Sequence, residues 1–302
     1  MLQTETEAVA NQTVKRAFVH LASNSLGDNL AWIPQVEEFR RLNKCEVDVY
    51  VSPRLHCLFS TTYPLLNFVS EIPKERGGAI SVGCHQPHDI TTPVIQVATD
   101  QLGLPYQEIK PKIQLPPNLK NNFDKKYVCI ATQSTVQLKY WNNPDGWDQT
   151  VDYLQTLGYE VVCIDQHVRF GVEGHWNDTP VNSIRKNQFD DDPEIPLTDR
   201  INDLYFCDFF IGLGSGLSWL AWALNKPVVL ISGFSNPATE FYTPYRVINK
   251  NVCNSCWNDP DCMPFDKGDW MWCPRHKGTP REFECSKEIT FEMVKKQIER
   301  LL

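Results

Sequence analysis

Cys253-Asn-Ser-Cys256 is followed by Cys262, Cys273 and Cys285 near the C-terminal end of the sequence. A Cys-x-x-Cys pair trailed closely by further cysteines reads as a structural metal site, and the residue type alone suggests zinc. The segment also carries Trp257, Trp270, Trp272, Pro264, Pro274, His276 and Gly278. It is too short and too broken by proline and glycine to build a core of its own. A bound ion is therefore expected to supply what apolar burial does not.

Three other stretches hold residues suited to chemistry. Gly212-Leu-Gly-Ser-Gly-Leu-Ser-Trp219 follows a strand-like run and opens a helix-like one. Backbone N–H groups around Gly214, Ser215 and Gly216, with a helix N-terminus behind them, suit a phosphate, although such a turn serves packing equally well. It is not the dinucleotide pattern, because Leu217 or Trp219 stands where the third glycine would be. It is not a Walker loop either, since no Gly-Lys-Ser/Thr follows.

Ala131-Thr132-Gln133-Ser134-Thr135 leads on to Lys139, Tyr140 and Trp141. Thr132 and Gln133 can bond phosphate, and Lys139 offers either a point charge for it or an ordinary surface charge. Trp141 and Trp147 read as core or as walls of a nucleotide pocket. Ser25-Leu-Gly-Asp28 follows the first apolar run. Asp28 is a candidate general base there, or a helix N-cap. His20, His56, His85 and His88 show no metal spacing, and His85 and His88 read as a loop near a cleft. No Gly-x-Ser-x-Gly elbow and no His-Glu-x-x-His occur, which argues against serine-hydrolase and zincin chemistry.

The elements that must position these residues alternate. Ala17–Ala22 reads as a strand, residues 31–42 as a helix, Val47–Val51 and residues 79–82 as strands, and Pro93–Leu102 as a helix stopped at Gly103. Residues 104–119, with Pro105, Pro111, Pro116 and Pro117, read as a linker. The pattern then restarts. Tyr127–Ala131, Val161–Ile164, Phe209–Ile211 and Val228–Ser232 read as strands. Gly146–Leu157, Leu197–Phe206, Ser215–Leu224 and Thr290–Leu302 read as helices. Alternation of this kind predicts an α/β chain: two Rossmann-like domains with parallel sheets facing a cleft. The expected division is 1–118 and 119–302, the second part including a metal finger at 250–287 and a C-terminal helix at 290–302.

The 302 residues suggest about two domains, and 42% hydrophobic content is enough for real cores. A net charge of −8 with no long basic run argues against a duplex nucleic-acid partner. The polar stretch 1–14 has no secretory h-region, and no run reaches the length of a membrane span. With eleven cysteines these features point to a reducing cytoplasm. Cys45, Cys57, Cys84, Cys129, Cys163 and Cys207 are expected to be buried core thiols. Asp190, Asp191 and Asp192 read as a solvated loop.

These residues resemble a known family. Ser25-Leu-Gly-Asp28 with Leu30 and Pro34 is similar to the first loop of ADP-heptose glycosyltransferases. The run from Gly214 to Pro227 is similar to their nucleotide-phosphate helix. The cysteine segment, with Phe265-Asp-Lys-Gly-Asp-Trp270, Trp272-Cys273-Pro, His276-Lys-Gly-Thr279 and Phe283-Glu-Cys285, resembles the bacterial autotransporter heptosyltransferases, which add heptose to serines of surface adhesins. The resemblance implies a GT-B fold, inverting transfer from ADP-heptose, and a protein or glycan acceptor, with a homo-oligomer as a further expectation. It implies Asp28 as general base, with Lys139, Ser215 and Gly216 on the diphosphate. It also implies that Cys253, Cys256, Cys273 and Cys285 hold a structural iron ion, with Cys262 a bystander. Strand one starts near residue 17, and the family carries a longer region ahead of it that is linked with acceptor docking and assembly. Within the same fold a lipopolysaccharide or nucleic-acid-base acceptor, or a metal-stabilised binding protein without turnover, are the other readings.

Overall fold

The computed structural model describes residues 15–72, 79–83, 92–187, 194–262, 264–266 and 268–302. The first sheet is built from β1 (Arg16–Leu21), β2 (Glu46–Tyr50), β3 (Asn67–Phe68) and β4 (Ile80–Val82), ordered β3-β2-β1-β4. Its pairings are all parallel. Helices α1 (Leu26–Asn43), α2 (Pro53–Phe59) and α3 (Val94–Gln101) connect or cover it. Residues 104–119 carry no helix or strand beyond a turn, as their prolines predict.

The second sheet holds β5 (Tyr127–Ala131), β6 (Glu160–Cys163), β9 (Ile184–Arg185), β10 (Phe210–Leu213), β11 (Val228–Ile231) and β12 (Arg246–Val247), ordered β12-β11-β10-β5-β6-β9. All its pairings are parallel as well. Strands β5, β10 and β11 are buried at every position. That explains why they read as unbroken apolar runs, since a parallel strand covered on both faces has no wet side to alternate with. Around this sheet lie α4 (Gly146–Thr156), α5 (Leu197–Phe206), α6 (Gly216–Ala223), the short α7 (Glu284–Lys287) and α8 (Phe291–Leu301). A separate antiparallel hairpin, β7 (Arg169–Val172) and β8 (His175–Asp178), turns through Glu173 and Gly174, both at positive φ. That pair suits a tight hairpin turn.

The two sheet units share one apolar core. Leu30, Trp32 and Ile33 of α1 join Trp219, Leu220 and Trp222 of α6 and Phe241 in a single buried cluster. The rings of Trp222 and Phe241 stack at 4.8 Å. Helix α1 begins at Leu26, five positions before its apolar periodicity. Its first turn faces α6 and not its own sheet, so the usual stripe is absent there. Ser25 takes the N-cap position and Asp28 lies in the first helical turn, which rules out Asp28 as the cap. Two glycines let the helices approach closely at this crossing. A Cβ on Gly27 would stand 2.9 Å from the Trp219 ring, and one on Gly216 would stand 2.8 Å from the Leu26 Cβ.

A second cluster joins α4 and α8 over the other face of the second sheet. Trp141 belongs to it, 4% exposed, with its Nε1 donating to the Ile289 carbonyl at 2.7 Å. Trp141 is therefore core, with Trp147 packed against it. Cys45, Cys129, Cys163 and Cys207 are buried as expected, whereas Cys57 is exposed on the short helix α2. Cys84, His85, His88 and Asp190 to Asp192 lie outside the described residues. No described helix is long and apolar enough to cross a membrane.

The α1–α6 crossing is a testable joint. Gly27→Val is expected to destabilise the protein by about 1–3 kcal/mol, the usual cost of overpacking. Urea denaturation reads it as a lowered midpoint at unchanged slope; an unmoved midpoint would contradict the tight crossing.

Candidate functional site

Strand β10 ends at Leu213 and the chain turns at once into α6. Ser215 has extended backbone at the N-cap position, and no side chain caps the helix. The Ser215 amide donates back to the Leu213 carbonyl at 2.7 Å. The Ser218 hydroxyl turns under to the same carbonyl at 2.5 Å. The leading N–H groups of any helix lack partners within it, and their dipoles add up at this end. The turn Gly214-Ser215-Gly216 therefore offers an anion site at the carboxyl edge of a parallel sheet, where such folds bind ligands.

Lys139 closes a one-turn 3-10 helix, Gln137–Lys139, after β5. Its ammonium lies 5.4 Å over the Phe234 ring. Burial pushes its pKa down, while the charges of Asp28 and Glu240 pull it back up. The two carboxylates that act on it come from separate elements. Asp28 comes from the first turn of α1, and the Ser23 hydroxyl donates to its Oδ2 at 2.7 Å. Glu240 comes from the loop between β11 and β12. Its Oε2 meets Arg246 at 2.7 Å, with only 8% and 10% of the two side chains exposed. Sequence reasoning missed both, because an isolated Glu and an isolated Arg six residues apart carry no signal until the loop folds them together.

Thr132 and Gln133 are placed differently. The Thr132 amide and hydroxyl both donate to Asp165 Oδ2, at 2.6 and 2.9 Å. The Gln133 amide donates to Asp165 Oδ1 at 3.1 Å, and its side-chain nitrogen to the His167 carbonyl at 2.6 Å. Asp165 is 3% exposed. Burial raises its pKa and these bonds oppose that rise. Thr132 thus spends its polar groups fastening the ends of β5 and β6, a bond set that shapes the loop leading to Lys139.

The cysteine segment packs on this same loop. Cys256, Cys262, Cys273 and Cys285 are buried in a cluster with Val136, Leu138, Phe234, Trp272 and Phe283, and Cys253 packs against it. Backbone bonds stitch it down: Gln137 to Trp270 at 3.0 Å, Ser255 to Gly233 at 2.8 Å and Trp257 to Phe234 at 3.1 Å. The segment is not free-standing; it shares a core with the residues on either side of Lys139.

Burial pushes the thiols of Cys256, Cys262 and Cys273 up, and that of Cys285 up to about 12. The thiols also oppose one another's ionisation, Cys256 through Cys253, Cys262 and Cys285, and Cys285 through Cys273 and Cys253. Buried thiols that share one small core suit a soft cation, which supplies the charge that lets them ionise, but no three of the sulfurs of Cys253, Cys256, Cys273 and Cys285 lie within 4.8 Å of one another here. At the rim, Cys253, His276 and Glu284 bring one donor atom each within 4.8 Å of one another. The Arg281 guanidinium and the Cys253 amide hold the Glu284 carboxyl down at about 2.

Comparison with known proteins places this arrangement. Residues 85–267 match glycosyltransferase family 9 (heptosyltransferase). The chain is 40% identical to the autotransporter heptosyltransferase BAHTCr of Citrobacter rodentium, over 96% of this chain and 72% of that protein. It is 33% identical to BimC of Burkholderia thailandensis, described as an inactive autotransporter heptosyltransferase, over 94% and 68%. The crystal structure of TibC, an iron-containing dodecameric glycosyltransferase of enterotoxigenic E. coli, superimposes with a TM-score of 0.89 at 38% identity, over 95% of this chain and 76% of that one. A second TibC structure, in complex with ADP-D-beta-D-heptose, gives 0.88 over 94% and 76%. The expected GT-B fold is thereby established.

Lys139 offers a test of the site's electrostatics. Its proton is held less tightly in the fold than in the unfolded chain, whose ordinary value is 10.5. The charged form therefore costs stability at all pH below the folded value, and the cost fades as pH climbs from there towards 10.5. Lys139→Met is expected to melt at or above the wild-type temperature at pH 7, by differential scanning calorimetry. A clear drop would mean that the ammonium supports the fold.

Proposed function

Because the chain belongs to the autotransporter heptosyltransferases of glycosyltransferase family 9, we propose that it moves heptose from ADP-heptose to a hydroxyl acceptor with inversion. The acceptor of this reading is a serine or threonine of a protein. One observation carries the mechanism: the first turn of α1, which holds Asp28, packs against the uncapped N-terminus of α6 at Gly216. The donor diphosphate sits on the Gly216 amide and the Ser215 hydroxyl, and Lys139 faces it as a point charge.

The acceptor oxygen attacks the anomeric carbon from the face opposite the diphosphate. The carbon–oxygen bond to the diphosphate breaks as the new glycosidic bond forms, and the configuration inverts. Asp28 takes the acceptor's proton. Helix N-terminus and lysine stabilise the charge that gathers on the leaving ADP, so these groups supply by themselves what a catalytic metal would supply. Residues 1–118 form the acceptor side of this reading and 119–302 the donor side.

Cys253, Cys256, Cys273 and Cys285 would hold a structural ion, which we take to be iron by likeness to TibC. It would bind four sulfurs and so leave no open position for substrate. Cys262, buried in the same cluster, is a bystander in this assignment. A cytoplasmic location, a homo-oligomer and the absence of a nucleic-acid partner complete the proposal. The description of BimC as inactive favours one second reading, a binding protein that keeps the fold without turnover. Turnover decides between them.

Asp28→Ala is expected to fold, bind ADP-heptose and lose transfer by at least about 100-fold, the scale of a lost general base. Mass spectrometry of an acceptor incubated with ADP-heptose reads the loss, and full transfer would remove Asp28 from the mechanism. Cys273→Ser is expected to lower both bound metal and melting temperature, because structural metal binding is coupled to folding. Unchanged metal content and melting would refute the ligand assignment.

A further inference from the structure

We propose that Glu240 accepts hydrogen bonds from hydroxyls of the transferred sugar, with Arg246 as the residue that positions it. The inference deepens the donor reading above and rests on it. Glu240 Oε1 stands 2.6 Å from where a Cβ on residue 214 would be, so the carboxylate fills the space that the glycine leaves. That sets it against the turn entering α6, whose other side meets the first turn of α1 at Gly216.

The carboxylate is built in, not loosely placed. The Ser235 hydroxyl donates to Oε1, and Ser235 also shares a hydrogen bond of 2.9 Å with Ser232. Arg246 bonds Oε2 at 2.7 Å. An ionised carboxylate offers about four acceptor positions, and these bonds take two of them. The other terminal nitrogen of Arg246, Nη1, is buried with no partner. The pair is thus desolvated without full hydrogen bonding, an arrangement that contributes little to stability. Placement of the carboxylate is what it does achieve.

The chemistry of the ligand follows from the sign of the charge. A carboxylate repels a diphosphate, so Glu240 does not serve the phosphates. It attracts O–H donors, and a nucleotide-sugar has two sets of these, on the ribose and on the transferred sugar. Asp28 must stand near the anomeric carbon to reach the acceptor's proton. Glu240 lies against Gly214 and the first turn of α1, which carries Asp28, lies against Gly216 two residues on, so the carboxylate stands beside the transferred sugar and that set is selected.

The test is isothermal titration of the full chain with ADP and with ADP-heptose. It compares wild type, Glu240→Asp, and the double variant Glu240→Gln with Arg246→Met. The Asp variant keeps the charge and shortens the reach; the double variant removes both charges and leaves neither buried alone. Both are expected to bind ADP as wild type does and to bind ADP-heptose about 10-fold or more weakly, the scale of a lost hydrogen bond to a charged group. Equal weakening for ADP and ADP-heptose would move Glu240 to the ribose and overturn the assignment. Unchanged affinity for both ligands in both variants would overturn it outright. Wild type that fails to bind ADP-heptose would instead refute the donor reading beneath it.

Discussion

Two helix starts meet where a glycine of each takes up a side chain of the other, and the site depends on that contact. Gly27 of α1 lies under the Trp219 ring, and Gly216 of α6 lies against Leu26. The first turn of α1 carries Asp28, and the first turn of α6 carries the free amides. Larger residues at either glycine would part the helices by the width of the added groups. Proton acceptor and anion site would then separate by the same amount. The apolar cluster of Leu30, Trp32, Trp219, Trp222 and Phe241 continues directly from this contact, so burial holds together what the glycines allow to approach.

Around that contact the protein accepts electrostatic cost. Lys139 is desolvated between Asp28 and Glu240, and its proton is held less tightly than in water despite both carboxylates. Arg246 is buried with one nitrogen unpartnered. Groups that are held against their solvation preference in this way are set up for a ligand that brings the missing charge or hydrogen bonds. The cysteine segment belongs to the same economy. It covers Val136, Leu138 and Phe234, the residues that hold Lys139 in place, so an ion bound there would act on the site through packing and not through chemistry.

Much of the scaffold was legible in the sequence. Tyr127–Ala131 and Leu197–Phe206 match β5 and α5 to the residue, since a fully buried strand leaves an unbroken apolar run and an amphipathic helix leaves a periodic one. The first turn of α1 left none, because Leu26 and Gly27 answer to α6 instead of to their own sheet. Strands β9 and β12 are two residues long and carry no period at all. The hairpin of β7 and β8 was missed because Glu173-Gly174 is a weaker turn signal than Asn-Gly, and Trp176 stays 53% exposed. In the site, Asp28, Lys139 and the Gly-Ser-Gly turn could be found from neighbouring residues. Asp165, Glu240 and Arg246 could not, since each acquires a role only through partners that the fold supplies.

The most direct single measurement is a crystal structure of the chain with ADP-heptose. The diphosphate is expected on the Gly216 amide and the Ser215 hydroxyl within reach of Lys139, with the anomeric carbon facing Asp28 and the sugar hydroxyls turned to Glu240. A diphosphate bound away from the α6 N-terminus, or a sugar directed away from Asp28, would contradict the assignment of this junction as the site of transfer.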